Sequence, residues 1–278
     1  MQDATTTPPA AGLRLQGESI SRSYRGVRAL DGVTISVPRG RVTGLIGANG
    51  AGKSTLVNIL SGYDRPDSGS VVADGDDITA VRADRRAHRG IARTFQRGSL
   101  YRRLSVLENV EVTALACGLR RREARALALE LIDELALGEW ILHDADRIPH
   151  GVERRLGVAR ALATRPDYVL LDEPAAGLND GEAQHLRETM RSLAERGMGV
   201  LLIDHNMPLV FGSCDHIFVL GAGRNVLDGA PDEVRHDERL ATSYLGTAAE
   251  QIDTELINAA DTLALLDQRD AQHRGGDR

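Results

Sequence analysis

Among 34 basic side chains the sequence holds one lysine, Lys53, and the rest are arginine. The exception stands in GANGAGKST, where Gly47, Gly52, Lys53 and Ser54 meet the spacing G-x-x-x-x-G-K-[ST]. Glycines so placed let the backbone curl until successive N–H groups face a phosphate chain. Arginine and lysine do not interchange where a compact ammonium must enter a tight site. Lys53 is suited to reach the β- and γ-phosphates, and the Ser54 hydroxyl to ligate Mg²⁺. Asn49, Gly50 and Thr55 complete the loop and its exit. The spacing predicts a nucleotide site with Mg²⁺.

Two further groups carry matching chemistry. In Tyr168-Val-Leu-Leu-Asp-Glu173 an apolar strand ends in two carboxylates. Downstream of a phosphate loop, Asp172 would hold Mg²⁺ through water, and Glu173 would polarise a water attacking the γ-phosphate. In Gly199-Val-Leu-Leu-Ile-Asp204 a second apolar strand delivers His205, which can donate a hydrogen bond to the same phosphate. A different pattern is RIPHGVERRLGVARAL, Arg147 to Leu162, with proline, histidine and glycine at the head of an apolar, arginine-studded helix. A helix N-terminus of that kind aims backbone N–H groups at an anion.

These residues need a frame. Arg41 to Ile46 reads as a short strand and Ser54 to Leu60 as a helix stopping at Gly62, which gives the phosphate loop its strand–loop–helix setting. With Tyr168–Asp172 and Gly199–Asp204 they form a parallel core whose carboxyl ends gather the phosphate groups. Leu13 to Arg39, with Ser70 to Ala73, alternates as an antiparallel sheet. Val106–Ala116 and Glu123–Leu137 are helix-periodic, and Leu127, Leu131 and Leu135 read as core.

The chain has 278 residues, 42% hydrophobic and 27% charged, with a formal net charge of −6. A mildly acidic balance and 3% aromatic content argue against nucleic acid as a partner. No apolar run reaches the roughly 18 residues that span a bilayer. Residues 1–12, MQDATTTPPAAG, lack the basic and apolar parts of a signal peptide and read as a disordered tail. Cys117 and Cys214 stand in no metal spacing and read as buried thiols in a reducing compartment. The pairs and triples Arg85-Arg86, Arg102-Arg103 and Arg120-Arg121-Arg122 fit either a solvated surface or a contact with a membrane partner. Residues 247–278 carry Ile252, Leu256, Leu263 and Leu266 near helical spacing, then end in a polar stretch of disordered composition.

In order along the chain, these pieces resemble the ATP-binding subunits of ABC transporters over Leu13 to Gly246. The resemblance implies an α/β fold, a P-loop NTPase with a RecA-like parallel core, an antiparallel β subdomain and a helical insert at about 97–160. It implies that Tyr24, in SYRGVRALDGV, stacks on adenine. Gln96, in RTFQ, would touch Mg²⁺ and report to the membrane domain. His205 matches the switch histidine, and AGLND carries the D-loop, Ala176 to Asn179, with Asn179 where many relatives have Asp. Within the family, GIARTFQ, LSVLENV, LDEPAAGLN and the YLG at Tyr244 to Gly246 look like the branched-chain amino acid importer ATPases, the partner with the divergent signature. Urea and amide importers and the lipopolysaccharide-export ATPase look much alike.

The resemblance also explains the helix head. Family subunits pack head to tail, each signature motif capping the ATP on the other's phosphate loop. The usual L-S-G-G-Q reads Ile148-Pro149-His150-Gly151-Val152 here. Gly151 is kept, with the helix dipole and its N–H donors, but Pro149 replaces the serine whose hydroxyl bonds the γ-phosphate. A charge-assisted hydrogen bond contributes roughly 1.5–3 kcal/mol, so its loss slows the partner's site by about one to two orders of magnitude unless His150 donates instead. The expectation is therefore a transport ATPase, for branched-chain amino acids or related small polar solutes. It would pair with a second ATPase subunit, two integral membrane permease subunits and, indirectly, a periplasmic or extracellular solute-binding protein at the cytoplasmic face of the plasma membrane. A soluble non-transport ABC ATPase and a lipopolysaccharide-type export ATPase are the alternatives.

Overall fold

The computed structural model describes residues 12–94 and 100–240. Gln96, the tail before residue 12, the YLG stretch and the 247–278 extension lie outside the described residues. Two strands open the fold, β1 (Arg14–Tyr24) and β2 (Val27–Pro38). They are joined by Arg25 and Gly26, whose φ values of 48° and 87° make the tight turn that matches strand twist. Then come β3 (Val42–Gly47), α1 (Lys53–Leu60), β4 (Ser68–Ala73), β5 (Asp76–Asp77), α2 (Ala83–His88) and β6 (Ile91–Arg93). Helices α3 (Val106–Ala116), α4 (Arg121–Glu134) and α5 (His150–Leu162) follow. The rest alternates: β7 (Tyr168–Asp172), α6 (Asp180–Glu195), β8 (Gly199–Ile203), α7 (Met207–Ser213), β9 (His216–Gly221), β10 (Arg224–Gly229) and α8 (Pro231–Arg235).

The strands form two sheets. A four-stranded antiparallel sheet runs β2-β1-β4-β5, and a six-stranded sheet runs β10-β9-β3-β8-β7-β6. In the second, β3 pairs parallel with β8 and β9, and β7 parallel with β8 and β6. Every residue of β3, β7 and β8 is buried, which is why these strands read as unbroken apolar runs. Their side chains alternate between two cores. Leu45, Leu170, Leu201 and Ile203 join α1 and the antiparallel sheet, while Ile46, Val169, Leu171 and Leu202 meet the helices from α3 to α7. The Asn225 amide stitches the sheets together, accepting from the Thr34 N–H and donating to the Thr34 carbonyl, each at 2.9 Å.

Several expectations shift. Helix α4 begins at Arg121 and ends at Glu134, because Ala136 turns left-handed at φ 49° before Leu137. Leu131 and Leu135 are core and Leu127 packs partly buried against it. Cys214 is buried, and burial pushes its thiol up to about 12, but Cys117 is exposed. The largest correction is Arg86. Arg85, Arg102, Arg103 and Arg120 to Arg122 are exposed, whereas Arg86 is fully buried. Its guanidinium donates to the carbonyls of Ile59, Leu60 and Ile78, each at 2.7 Å, to Val81 at 2.9 Å and to Thr79 at 3.2 Å. The Ile59 and Leu60 carbonyls belong to the last turn of α1, which leaves such groups without helical partners. Burial lowers the Arg86 pKa to about 10, and it remains a cation at neutral pH.

Candidate nucleotide site

The phosphate loop hangs between the buried strand β3 and the helix α1. Its backbone shape requires glycine. Gly47 has φ 149°, and a Cβ there would stand 2.2 Å from the Leu220 carbonyl oxygen. Gly52 has φ 103° and a Cβ would meet the Ala29 carbonyl oxygen at 2.6 Å. Gly50, at φ 81°, has open space around it and Asn49 is exposed. Lys53 Nζ donates to the carbonyls of Gly47 at 2.5 Å and Ala48 at 2.9 Å, so the ammonium is held inside its own loop. Ser54 is exposed on the first turn of α1, with Thr55 half-buried beside it. A contact chain fixes the loop to its surroundings: Gly223 donates its N–H to the Ala51 carbonyl at 3.1 Å, and Asp31 donates to that of Gly223 at 2.8 Å.

Tyr24 closes β1 opposite Val27, in the same hairpin whose Ala29 touches the phosphate loop. Its hydroxyl donates to Asp64, and the Arg22 guanidinium lies 4.8 Å from the ring centroid. One face of the ring is thus engaged within the chain.

At the other side, β7 delivers Asp172 and Glu173. Asp172 is 5% exposed and ion-pairs with Arg93 at 2.9 Å. Glu173 adopts φ 49° and donates its N–H to the Ile203 carbonyl at 2.8 Å. That bond brings it beside the end of β8, where His205 Nδ1 stands 3.9 Å from Glu173 Oε1. Asp204, buried between them, accepts from the N–H groups of Ala175 at 3.0 Å and Asn206 at 2.9 Å. One carboxylate therefore ties the segment after Glu173 to the turn that carries His205. Asp204 was hidden in sequence, where it reads only as the end of an apolar strand.

The helix head is more closed than its sequence suggests. Helix α5 starts at His150, with Pro149 extended at its N-cap and no side chain capping it. Val152 is 3% exposed, so what it offers an anion is its backbone N–H. Gly151 is buried against the D-loop, and a Cβ there would meet Leu178 Cδ2 at 3.2 Å and the Gly177 carbonyl oxygen at 3.5 Å. His150 is exposed, with Nδ1 at 2.8 Å from Glu153 Oε2. Arg155 and Glu182, absent from the sequence reading, bracket this region. Arg155 donates to the Leu135 and Ala136 carbonyls and to Glu182 at 3.1 Å, and Glu182 also accepts the Asn179 N–H at 3.0 Å. Asn179 Oδ1 accepts the Glu182 N–H in return, so it caps α6 as an aspartate would.

A glycine cradle over a helix start, with a trapped ammonium and strand-end carboxylates beside it, is the geometry of nucleotide phosphate binding. Ser54 and Asp172 offer the hard oxygen donors that Mg²⁺ takes. Among the described residues no group of three or more His, Cys, Asp or Glu could hold a metal. The donor set fits an ion bound largely through substrate phosphates rather than in an all-protein cage. The sequence profile described as ABC transporter matches residues 30–176. The chain belongs to the ABC transporter family.

It is an ABC ATPase with a P-loop NTPase fold, and the family binds ATP. Its likeness to the high-affinity branched-chain amino acid transport ATP-binding protein BraF of Pseudomonas aeruginosa is 36% identity over 250 residues, covering 84% of this chain and 98% of that one. The lipopolysaccharide export system ATP-binding protein LptB of Haemophilus influenzae is 35% identical over 233 residues, covering 84% and 97%. Among solved structures, the ADP conformation of an ATP-binding cassette of an ABC transporter superposes with a TM-score of 0.75 at 29% identity, covering 84% of this ABC ATPase and 99% of that chain. No helix among the described residues is long and apolar enough to cross a membrane.

Proposed function

We propose that this ABC ATPase hydrolyses ATP on its own phosphate loop only when a partner ATPase subunit caps that site. The observation that carries the reading is the divergent helix head, where Pro149 stands at the N-cap without a side-chain donor. Lys53 and the loop N–H groups bind the β- and γ-phosphates, and Tyr24 lies against adenine. Mg²⁺, held by Ser54, Asp172 and Gln96, supplies charge neutralisation of the phosphates. Glu173 accepts the proton of the attacking water, and His205 donates to the γ-phosphate. Pro149, His150, Gly151 and Val152 face the ATP of the partner. Because His150 Nδ1 is turned to Glu153, its Nε2 donates to phosphate only when the ring is an imidazolium.

The cassette spans 13–246, including the helical insert at about 97–160, with 247–278 as an extension. It works at the cytoplasmic face of the plasma membrane on two permease subunits, importing branched-chain amino acids or related small polar solutes delivered by a solute-binding protein. Its 36% identity to BraF supports this. The 35% identity to LptB supports a second reading, an export ATPase of the lipopolysaccharide type.

Steady-state ATP turnover over a range of chain concentrations tests the central claim. We expect ATP binding without turnover for the chain alone, and turnover once a subunit with an intact signature serine is added. Glu173→Gln should bind ATP and lower that rate by about 10²-fold or more. A rate for the chain alone that rises faster than linearly with concentration would mean that homodimers form and IPHGV works as a signature.

A further inference from the structure

Arg93 is the last residue of the edge strand β6 and leads into the segment holding Gln96. Its side chain is 10% exposed, unlike the exposed arginines of the surface clusters. Nη1 donates to Asn58 Oδ1 at 2.5 Å and to Ser61 Oγ at 3.4 Å, while Nη2 donates to Asp172 Oδ2 at 2.9 Å. Thr94 adds a second clip, its Oγ1 accepting the Asp172 N–H at 2.9 Å and its own N–H donating to the Leu170 carbonyl at 2.9 Å. The end of β6 thus fixes both the backbone and the carboxylate of Asp172.

The partner on α1 is informative. Asn58 lies one helical turn beyond Ser54, so the two occupy the same face of α1. Arg93 therefore grips the face that presents the Ser54 hydroxyl with one nitrogen and the Asp172 carboxylate with another. The elements bearing these two oxygen donors converge on a single guanidinium.

We propose that Arg93 is a positioning residue for the divalent cation, setting the separation and orientation of Ser54 and Asp172. This rests on the reading of Asp172 as a metal-holding carboxylate. Removing Arg93 takes away the guanidinium that ties the Asp172 carboxylate to the face of α1 bearing Ser54. The phosphate cradle, built from the glycines and Lys53, is untouched. Metal-dependent binding should fail while metal-free nucleotide binding survives.

The test is titration of the full chain with a fluorescent ATP analogue, in EDTA and in graded Mg²⁺, with melting temperatures measured alongside. Bound Mn²⁺ counted by electron paramagnetic resonance gives a readout that does not depend on turnover. For Arg93→Gln we expect unchanged affinity in EDTA and a roughly tenfold rise in the Mg²⁺ concentration for half-maximal effect, the scale at which outer partners of a metal ligand act. Arg93→Lys should recover part of the shift. Asn58→Ala, which keeps the Arg93–Asp172 pair, should move the midpoint in the same direction by about threefold. Equal losses of affinity with and without metal, or a Mg²⁺ midpoint that stays put or falls, would overturn the proposal. Asp172→Asn separates the two levels. If it shifts the Mg²⁺ dependence and Arg93→Gln and Asn58→Ala do not, the positioning role fails and the site reading stands. If Asp172→Asn leaves the Mg²⁺ dependence unchanged, the site reading fails and takes the proposal with it.

Discussion

Two backbone carbonyls, of Gly47 and Ala48, grip the ε-ammonium of Lys53, and no other ε-amine exists in the sequence. Among side chains, amine chemistry on this protein is therefore a probe of one site. Acetylation by an activated ester, followed by peptide mapping, should modify Lys53 in the nucleotide-free chain and slow at least about tenfold under saturating Mg-ATP, since bound phosphates shield the amine from the reagent. An unchanged rate would remove Lys53 from the site. At this scale legibility follows locality. The loop residues Gly47 to Ser54 are contiguous, so their place between strand and helix was readable from sequence. Asp204, Arg93 and Glu182 act on groups far along the chain, at Ala175, at Asn58 and Asp172, and at Arg155. Their own neighbours in sequence carry no trace of that.

Helix α1 shows how an element depends on a residue outside it. Its first turn is occupied with the phosphate loop, and its last turn is closed by Arg86 from α2, which serves carbonyls of several separate segments. Replacing Arg86 with methionine keeps the apolar stem and removes every one of those donors. Losing these charge-assisted hydrogen bonds inside the fold should destabilise it by about 3 kcal/mol, a drop in Tm of roughly 10 °C for a domain of this size. Calorimetry reads it directly, and a loss below about 1 kcal/mol would mean that water replaces the guanidinium. Sequence placed α1 well, since Gly62 marks its stop, but read Arg86 with its neighbour Arg85 as one cluster. Composition cannot separate them, because the difference lies in which face of a short helix turns inward. The helix α4 boundary failed for a related reason: apolar periodicity continues to Leu137 although the backbone has already turned at Ala136.

Over the whole molecule the α/β order and the split into a parallel core and an antiparallel sheet were readable, because strands buried on both faces are unbroken apolar runs and the antiparallel ones alternate. Strands β6, β9 and β10 were not placed from sequence. Which surfaces meet a partner was not readable in the same way, since exposed arginines look alike whatever they face. One residue links the global stability of the molecule to the proposed chemistry. Glu173 holds a left-handed backbone at φ 49°, which an L-residue with a long side chain adopts at a penalty of about 1 kcal/mol and glycine does not. Glu173→Gly should therefore melt at a temperature equal to or higher than the parent while its turnover, measured with the partner subunit, is lost. A clearly lower Tm would show that the Glu173 side chain stabilises its own turn. Were a population of these chains screened for durability alone, with no demand for work, this carboxylate would be among the first things to drift away.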